Sequence, residues 1–135
     1  MRILTNGTFD CVNAGHINLL QSCKEYGDVV VGVNSDEFIE RYKGKPPLFT
    51  YKEREELLEN LGYDVHKNTD NGSTLIYQIN PDVLAIGSDW ARKDYLSQIG
   101  MTYDELDAMN IHLLYIPYTK NISTTIIKQR LSESS

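Results

Sequence analysis

Two apolar runs limit the folds open to this chain. Asp28-Val29-Val30-Val31-Gly32-Val33-Asn34 and Val83-Leu84-Ala85-Ile86 carry apolar residues without alternation. A strand with one wet face alternates apolar and polar positions, so an unalternating run belongs to a strand covered on both faces, as in parallel sheets flanked by helices. The runs therefore require helices before and after them.

The intervening segments supply those helices. From Ile17 apolar residues recur at Leu20 and Cys23, with Leu19 alongside, and Gly27 stops the helix near Tyr26. Ser35-Asp36 offers an N-cap for a short helix through Phe38 and Ile39, which the paired Pro46-Pro47 cannot continue. Thr50 and Glu53 form a capping box, opening a helix with Leu57, Leu58 and Leu61 on its inner stripe and Gly62 at its end. Tyr63 to His66 is a weak strand, and an N-cap at Ser73 opens a short helix through Ile79. Beyond Val83–Ile86, Trp90 to Ile99 and Thr102 to Met109 read as helices, the second with a Thr102–Glu105 capping box. Ile111 to Ile116 is the last strand, stopped by Pro117, and Asn121 to Thr125 caps a helix running to Leu131. Strands alternating with helices predict an α/β fold: a Rossmann-like, doubly wound, five-stranded and mostly parallel sheet with helices on both faces. At 135 residues, a single domain over residues 1–135 is expected.

Composition narrows the function classes. A net charge of −6 argues against non-specific nucleic-acid binding, which depends on a basic surface. Cys11 and Cys23 lack the spacing of a redox or zinc motif and read as free thiols in a reducing compartment. No apolar run approaches the ~18 residues of a membrane span, and Met1-Arg2-Ile3-Leu4 leads straight into a strand, so neither a membrane nor a leader is expected and the chain reads as cytoplasmic. Neither Gly-x-Gly-x-x-Gly nor a Walker A sequence is present, leaving the common dinucleotide and P-loop readings unsupported. His66 and His112 sit in predicted strands and read as packed or edge residues.

The chemistry gathers in Gly7-Thr8-Phe9-Asp10-Cys11-Val12-Asn13-Ala14-Gly15-His16, which joins the first strand to the first helix. A loop of this kind delivers a helix N-terminus to the carboxyl end of a strand, where ligands of α/β sheets bind and where free N–H groups favour phosphates. Ala14 and Gly15 leave room for close approach, and Asn13 and His16, three apart, share a face. Asn13 also has a purely structural reading as an N-cap. Hydroxyls crowd a second helix start at Ser123-Thr124-Thr125, and two such starts facing one crevice would cradle a polyphosphate.

Gly7-Thr8-Phe9-Asp10, then Gly15-His16, then Ile122-Ser123-Thr124-Thr125, together with Ser35 to Phe38, Lys43 and Lys45, Tyr51-x-x-Arg54 and Gly87-x-Asp89-Trp90, resemble the cytidylyltransferase family over nearly the whole chain, and most of all its glycerol-3-phosphate cytidylyltransferases. The resemblance implies transfer of CMP from CTP to a small phosphorylated alcohol with release of pyrophosphate, Mg²⁺ bound through the nucleotide phosphates, and a homodimer. It implies that Gly7, Thr8, Phe9 and Asp10 hold the nucleotide through backbone groups, with Asn13, Gly15 and Ile122 beside it. His16 would contact the α-phosphate, and Ser123 and Thr124 the β- and γ-phosphates. Asp89 and Trp90 would line the nucleoside pocket, although as residues they also read as a helix cap and a core aromatic. Lys43 and Lys45 would act with His16 in catalysis by bridging the two substrates, against a plain reading as a solvated turn; Lys45, Arg54 and Tyr118 would bind the acceptor. Three positions depart from the family pattern: Asn13 stands where the first His of His-x-Gly-His is usual, and Gly62 and Tyr118 stand where Arg is usual. ATP as donor, a different phosphorylated acceptor, and a nucleotide-binding homologue without catalysis remain alternatives.

Overall fold

The strand that opens the chain becomes the middle of a sheet. In the computed structural model, which describes residues 1–87, 95–117 and 131, β1 (Arg2–Gly7) lies between β2 (Asp28–Asn34) and β4 (Val83–Gly87), with β3 (Asp64–Asn68) and β5 (His112–Ile116) outside, in the order β3-β2-β1-β4-β5. Every strand pair is parallel. The expected five-stranded sheet is therefore present and wholly parallel.

Alternate side chains of the central strands enter two layers, as strand pleating requires. Leu4, Val30, Leu84 and Ile86 pack with α4 (Ser73–Ile79), α5 (Tyr95–Ile99) and α6 (Tyr103–Ala108). On the opposite face Val31 and Val33 pack with Leu20 of α1 (Ala14–Lys24) and Leu58 of α3 (Tyr51–Asn60), while Ile3, Val83 and Ala85 surround Cys23. The sheet is doubly wound, with helices on both faces. Cys11 and Cys23 are both free thiols, and burial pushes the Cys23 thiol up to about 11.

Several boundaries differ from expectation for local reasons. α1 begins at Ala14 behind the Asn13 cap and ends at Lys24, short of the expected Tyr26. α2 (Asp36–Lys43) starts at the expected Ser35 cap but runs on to Lys43, where Gly44 at φ 77° ends it. The Thr50–Glu53 capping box is complete. Leu57 and Leu61, however, are each 45% exposed; the buried positions of α3 are Arg54 and Leu58. Gly72, not Ser73, is the N-cap of α4. Thr102 caps α6 through the Glu105 N–H, without the reciprocal bond of a full capping box. Of the expected helices, residues 90–94 of one and almost all of the C-terminal one lie outside the described residues.

The connections also fix where a ligand can enter. The chain steps from β1 outward to β2 and β3, then returns across to β4 on the other side of β1, so strand order reverses between β1 and β4. Six residue pairs join β1 to β2, from Arg2 with Asp28 to Gly7 with Val33, but only Ile3–Val83 and Leu4–Leu84 join β1 to β4. The two central strands thus part after Leu4, opening a crevice at their carboxyl ends where α/β sheets bind ligands.

Candidate active site

The loop from β1 into α1 is held in a costly conformation. Phe9 and Cys11 adopt φ 53° and 57°, in the left-handed region, at roughly 1–2 kcal/mol each for residues with a Cβ. Neighbouring elements hold it there. The Phe9 ring is buried with Leu20, Val31, Val33 and Leu58, and a Cβ on Gly7 would lie 2.9 Å from that ring, so this glycine makes room for Phe9. The Asp10 carboxylate accepts hydrogen bonds from the Leu48 and Phe49 N–H groups at 2.8 and 3.0 Å, tying the loop to the entry of α3.

Asn13 and His16 form one unit at the helix start. Asn13 Oδ1 accepts from the N–H groups of Gly15 and His16 at 2.8 and 3.4 Å, and the Asn13 N–H donates to His16 Nδ1 at 3.0 Å. Asn13 Nδ2 donates to the Cys11 carbonyl at 3.3 Å, which leaves one amide N–H over. The structural reading of Asn13 as a cap is therefore met in full. Because His16 Nδ1 is an acceptor, the neutral ring carries its proton on Nε2. Burial holds the imidazole below its usual range, and the Phe9 ring lies against it with centroids 5.4 Å apart. His16 thus presents a fixed, uncharged N–H donor at the carboxyl end of β1. Neutral imidazole donors of this kind can polarise an oxygen without first taking up a proton.

Arg54, expected to bind the acceptor, is engaged by the fold itself in this geometry. Its side chain is 1% exposed. Nε donates to the Phe49 carbonyl at 3.0 Å, Nη1 to the carbonyls of Thr8 and Asn34 at 2.8 and 2.7 Å, and Nη2 to Asp36 at 2.6 Å. It fastens the site loop, the end of β2 and the start of α2 to α3. Lys43 and Lys45 are exposed. Lys43 lies over the ring of Tyr42, whose hydroxyl is 3.2 Å from Thr8 Oγ1, placing this lysine one residue from a side chain that touches the site loop. Among the described residues no hydrogen bond or ion pair joins Lys45 to the loop.

The crevice is a cavity of about 310 Å³. Besides Thr5 to Thr8, Ile86 and Gly87, it is lined by Asn6, Asn34 and Asn68, which stand at or next to the ends of β1, β2 and β3. Sequence reasoning passed over these amides. The available signal was an asparagine recurring where three buried runs meet their loops; what hid it is that nothing in the chain order shows β1, β2 and β3 to be neighbours. Among the described residues no group of three or more His, Cys, Asp or Glu side chains gathers. A Mg²⁺ ion here would take its ligands from nucleotide phosphates and water, the usual arrangement for this ion. Asp89, Trp90, Tyr118, Ile122, Ser123 and Thr124 lie outside the described residues.

A neutral donor at a helix start, set at the switch point of a parallel sheet, is the setting in which comparison with known proteins becomes informative. The model of the cytidylyltransferase-like family matches residues 4–130. The chain belongs to that family. It is 34% identical over 137 aligned positions to glycerol-3-phosphate cytidylyltransferase of Bacillus subtilis, covering 97% of each chain. It is also 35% identical to bifunctional protein HldE of Helicobacter pylori, of which it spans only 28%, and 30% identical to FAD synthase of Pyrococcus horikoshii, of which it spans 93%. Among solved structures, the lipopolysaccharide core biosynthesis protein of Thermoplasma volcanium superimposes with a TM-score of 0.67 at 25% identity, over 90% of this chain and 98% of that one. Among the described residues no helix is long and apolar enough to cross a membrane.

Proposed function

We propose that this cytidylyltransferase-like protein transfers CMP from CTP to a small phosphorylated alcohol of the glycerol 3-phosphate kind, releasing pyrophosphate. The observation that carries the reading is the fixed Nε2–H of His16 at the start of α1. A phosphate oxygen of the acceptor attacks the α-phosphorus as the bond to the pyrophosphate oxygen breaks. Charge then builds on the α-phosphate oxygens, where a pre-aimed donor contributes most. His16 supplies that donor, the remaining N–H of Asn13 Nδ2 a second, and Lys43 and Lys45 the mobile positive charge between the substrates. Mg²⁺, when bound to the triphosphate, neutralises its charge. Asp89, Trp90, Ser123 and Thr124 complete the nucleotide site in this reading, and a cytoplasmic homodimer belongs to the same proposal, with sedimentation equilibrium as the check on assembly.

A pyrophosphate-release screen crossing CTP and ATP with phosphorylated small molecules tests it. Mg²⁺-dependent release with CTP and a phosphorylated polyol is expected; silence with every common nucleoside triphosphate overturns it, and preference for ATP corrects the donor. A second reading, a nucleotide-binding homologue without catalysis, draws on the cap role that fully engages Asn13 Oδ1 and on the open space around Gly62, where nothing lies within 4 Å of a Cβ position. It predicts that CTP raises the melting temperature while no product forms.

A further inference from the structure

Among the described residues, none that lines the crevice is charged. Thr5, Thr8, Tyr42, Asn71 and Gln98 offer hydroxyls and amides beside the three strand-end asparagines. The row is wired internally. Asn34 Nδ2 donates to Thr8 Oγ1 at 3.2 Å, and Asn34 Oδ1 accepts from Asn68 Nδ2 at 2.8 Å. Asn68 Nδ2 also donates to the Asp70 carbonyl at 2.8 Å. Those bonds use the donors of Asn68 and leave its Oδ1 over. Asn68, only 2% exposed, and Asn6 each hold a buried amide oxygen with no hydrogen-bond partner among the described residues.

Glycines make room for this arrangement. A Cβ on Gly32 would fall 1.8 Å from Asn6 Oδ1, and one on Gly72 would lie 3.1 Å from Asn6 Nδ2. Gly32 interrupts an otherwise β-branched strand, a substitution that weakens a strand unless something must approach closely. What approaches is the Asn6 carboxamide. A buried carbonyl oxygen left unpaired costs free energy, and native folds tolerate few of them. Two beside one cavity mark hydrogen-bond donors that the described residues do not themselves supply.

We propose that this cavity is the subsite for the uncharged, hydroxyl-bearing body of the phosphorylated acceptor, with Asn6 and Asn68 accepting hydrogen bonds from its hydroxyls. The inference rests on the transferase reading above and names its substrate class. With no carboxylate among the described lining residues, an ammonium-bearing acceptor finds no counter-ion there; with no cation among them, the acceptor's phosphate stays outside, toward the helix start and Lys43. About 310 Å³ holds about ten waters, which is room for a short polyol or one sugar ring. A site built around hydroxyl hydrogen bonds also discriminates strongly against analogues that lack them, because its own polar groups are then left unpaired.

Two measurements on the full chain test this. In the first, side-chain amide resonances of ¹⁵N-labelled protein are followed while glycerol 3-phosphate, sugar phosphates, phosphocholine and propyl phosphate are added in the presence of CTP and Mg²⁺. Movement of the Asn6 and Asn68 amide signals with the polyol and sugar phosphates alone is expected. Signals that stay still with all four, or that move equally with propyl phosphate, overturn the subsite. In the second, Asn6→Ala is expected to raise the KM of the acceptor on the order of 10- to 100-fold while leaving the KM of CTP within about twofold. An equal rise in both, or no change in either, overturns the assignment. Amide signals that respond to polyol phosphates without any pyrophosphate release sink the transferase reading and leave the subsite standing.

Discussion

At the scale of single residues the site turns on His16, whose environment makes a prediction about pH. Burial lowers its pKa. The unfolded chain takes up the proton near the ordinary value of about 6.5, whereas the folded chain takes it up only further down. Stability from this group is therefore complete above pH 6.5 and is lost as pH falls toward the folded value, since the unfolded state then binds more protons. His16→Gln removes that dependence. Between pH 7.5 and 5.5 the melting temperature of the native protein should fall further than that of the variant; equal losses would show that His16 is not held neutral. The same variant should turn over on the order of 10²-fold more slowly in pyrophosphate release, the usual loss when a pre-aimed donor goes. The pairing of His16 with Asn13 was legible because the two lie three positions apart, within the reach of a helix-start rule. The tautomer was not, because it depends on which ring nitrogen meets the Asn13 N–H.

Elements were legible where their determinants are local. Ser35 and Thr50 cap their helices as expected, since a cap is made by residues three apart. The β-branched run at Asp28–Asn34 is a strand over that same span. The inner face of α3 was misread because leucines at 57, 58 and 61 suggest a stripe that only tertiary partners can assign. The carbonyls of Thr8, Asn34 and Phe49 converge on α3 from three separate segments and select Arg54 instead. Replacing Arg54 by Ala leaves those acceptors and Asp36 without a donor and is expected to cost about 3 kcal/mol, read as a lower urea midpoint. Arg54→Lys restores little of it, because one ammonium cannot meet acceptors spread around a guanidinium fork. An acceptor-binding role would do the opposite, raising the acceptor KM while stability stayed put. The asparagine row belongs to the same class of misses as Arg54: its members are 28 or more residues apart, and parallel pairing brings them together.

For the whole molecule the decisive property is the parting of β1 from β4, which turns a continuous sheet into one with an opening at its carboxyl edge. Nearly all the elements around that opening meet it through loops: the left-handed turn at Phe9 and Cys11, the segment after β2 fastened by Arg54, and the amides that end β3. A nucleotide bound there touches several of these at once, so it should stabilise the native state as a unit. Ligand at about 100 times its dissociation constant adds about 2.7 kcal/mol when only the folded chain binds it. For a chain of 135 residues, a change of 1 kcal/mol moves the melting temperature by about 3 to 4 °C. CTP with Mg²⁺ at that saturation should therefore raise the melting temperature by about 10 °C, and a polyol phosphate added afterwards should raise it further, since its subsite lies in the same crevice. Calorimetric scans with CTP, ATP and GTP in parallel read the donor preference directly. A shift of equal size with all three would mean that the base is not read, and no shift with any would remove the start of α1 as the nucleotide site.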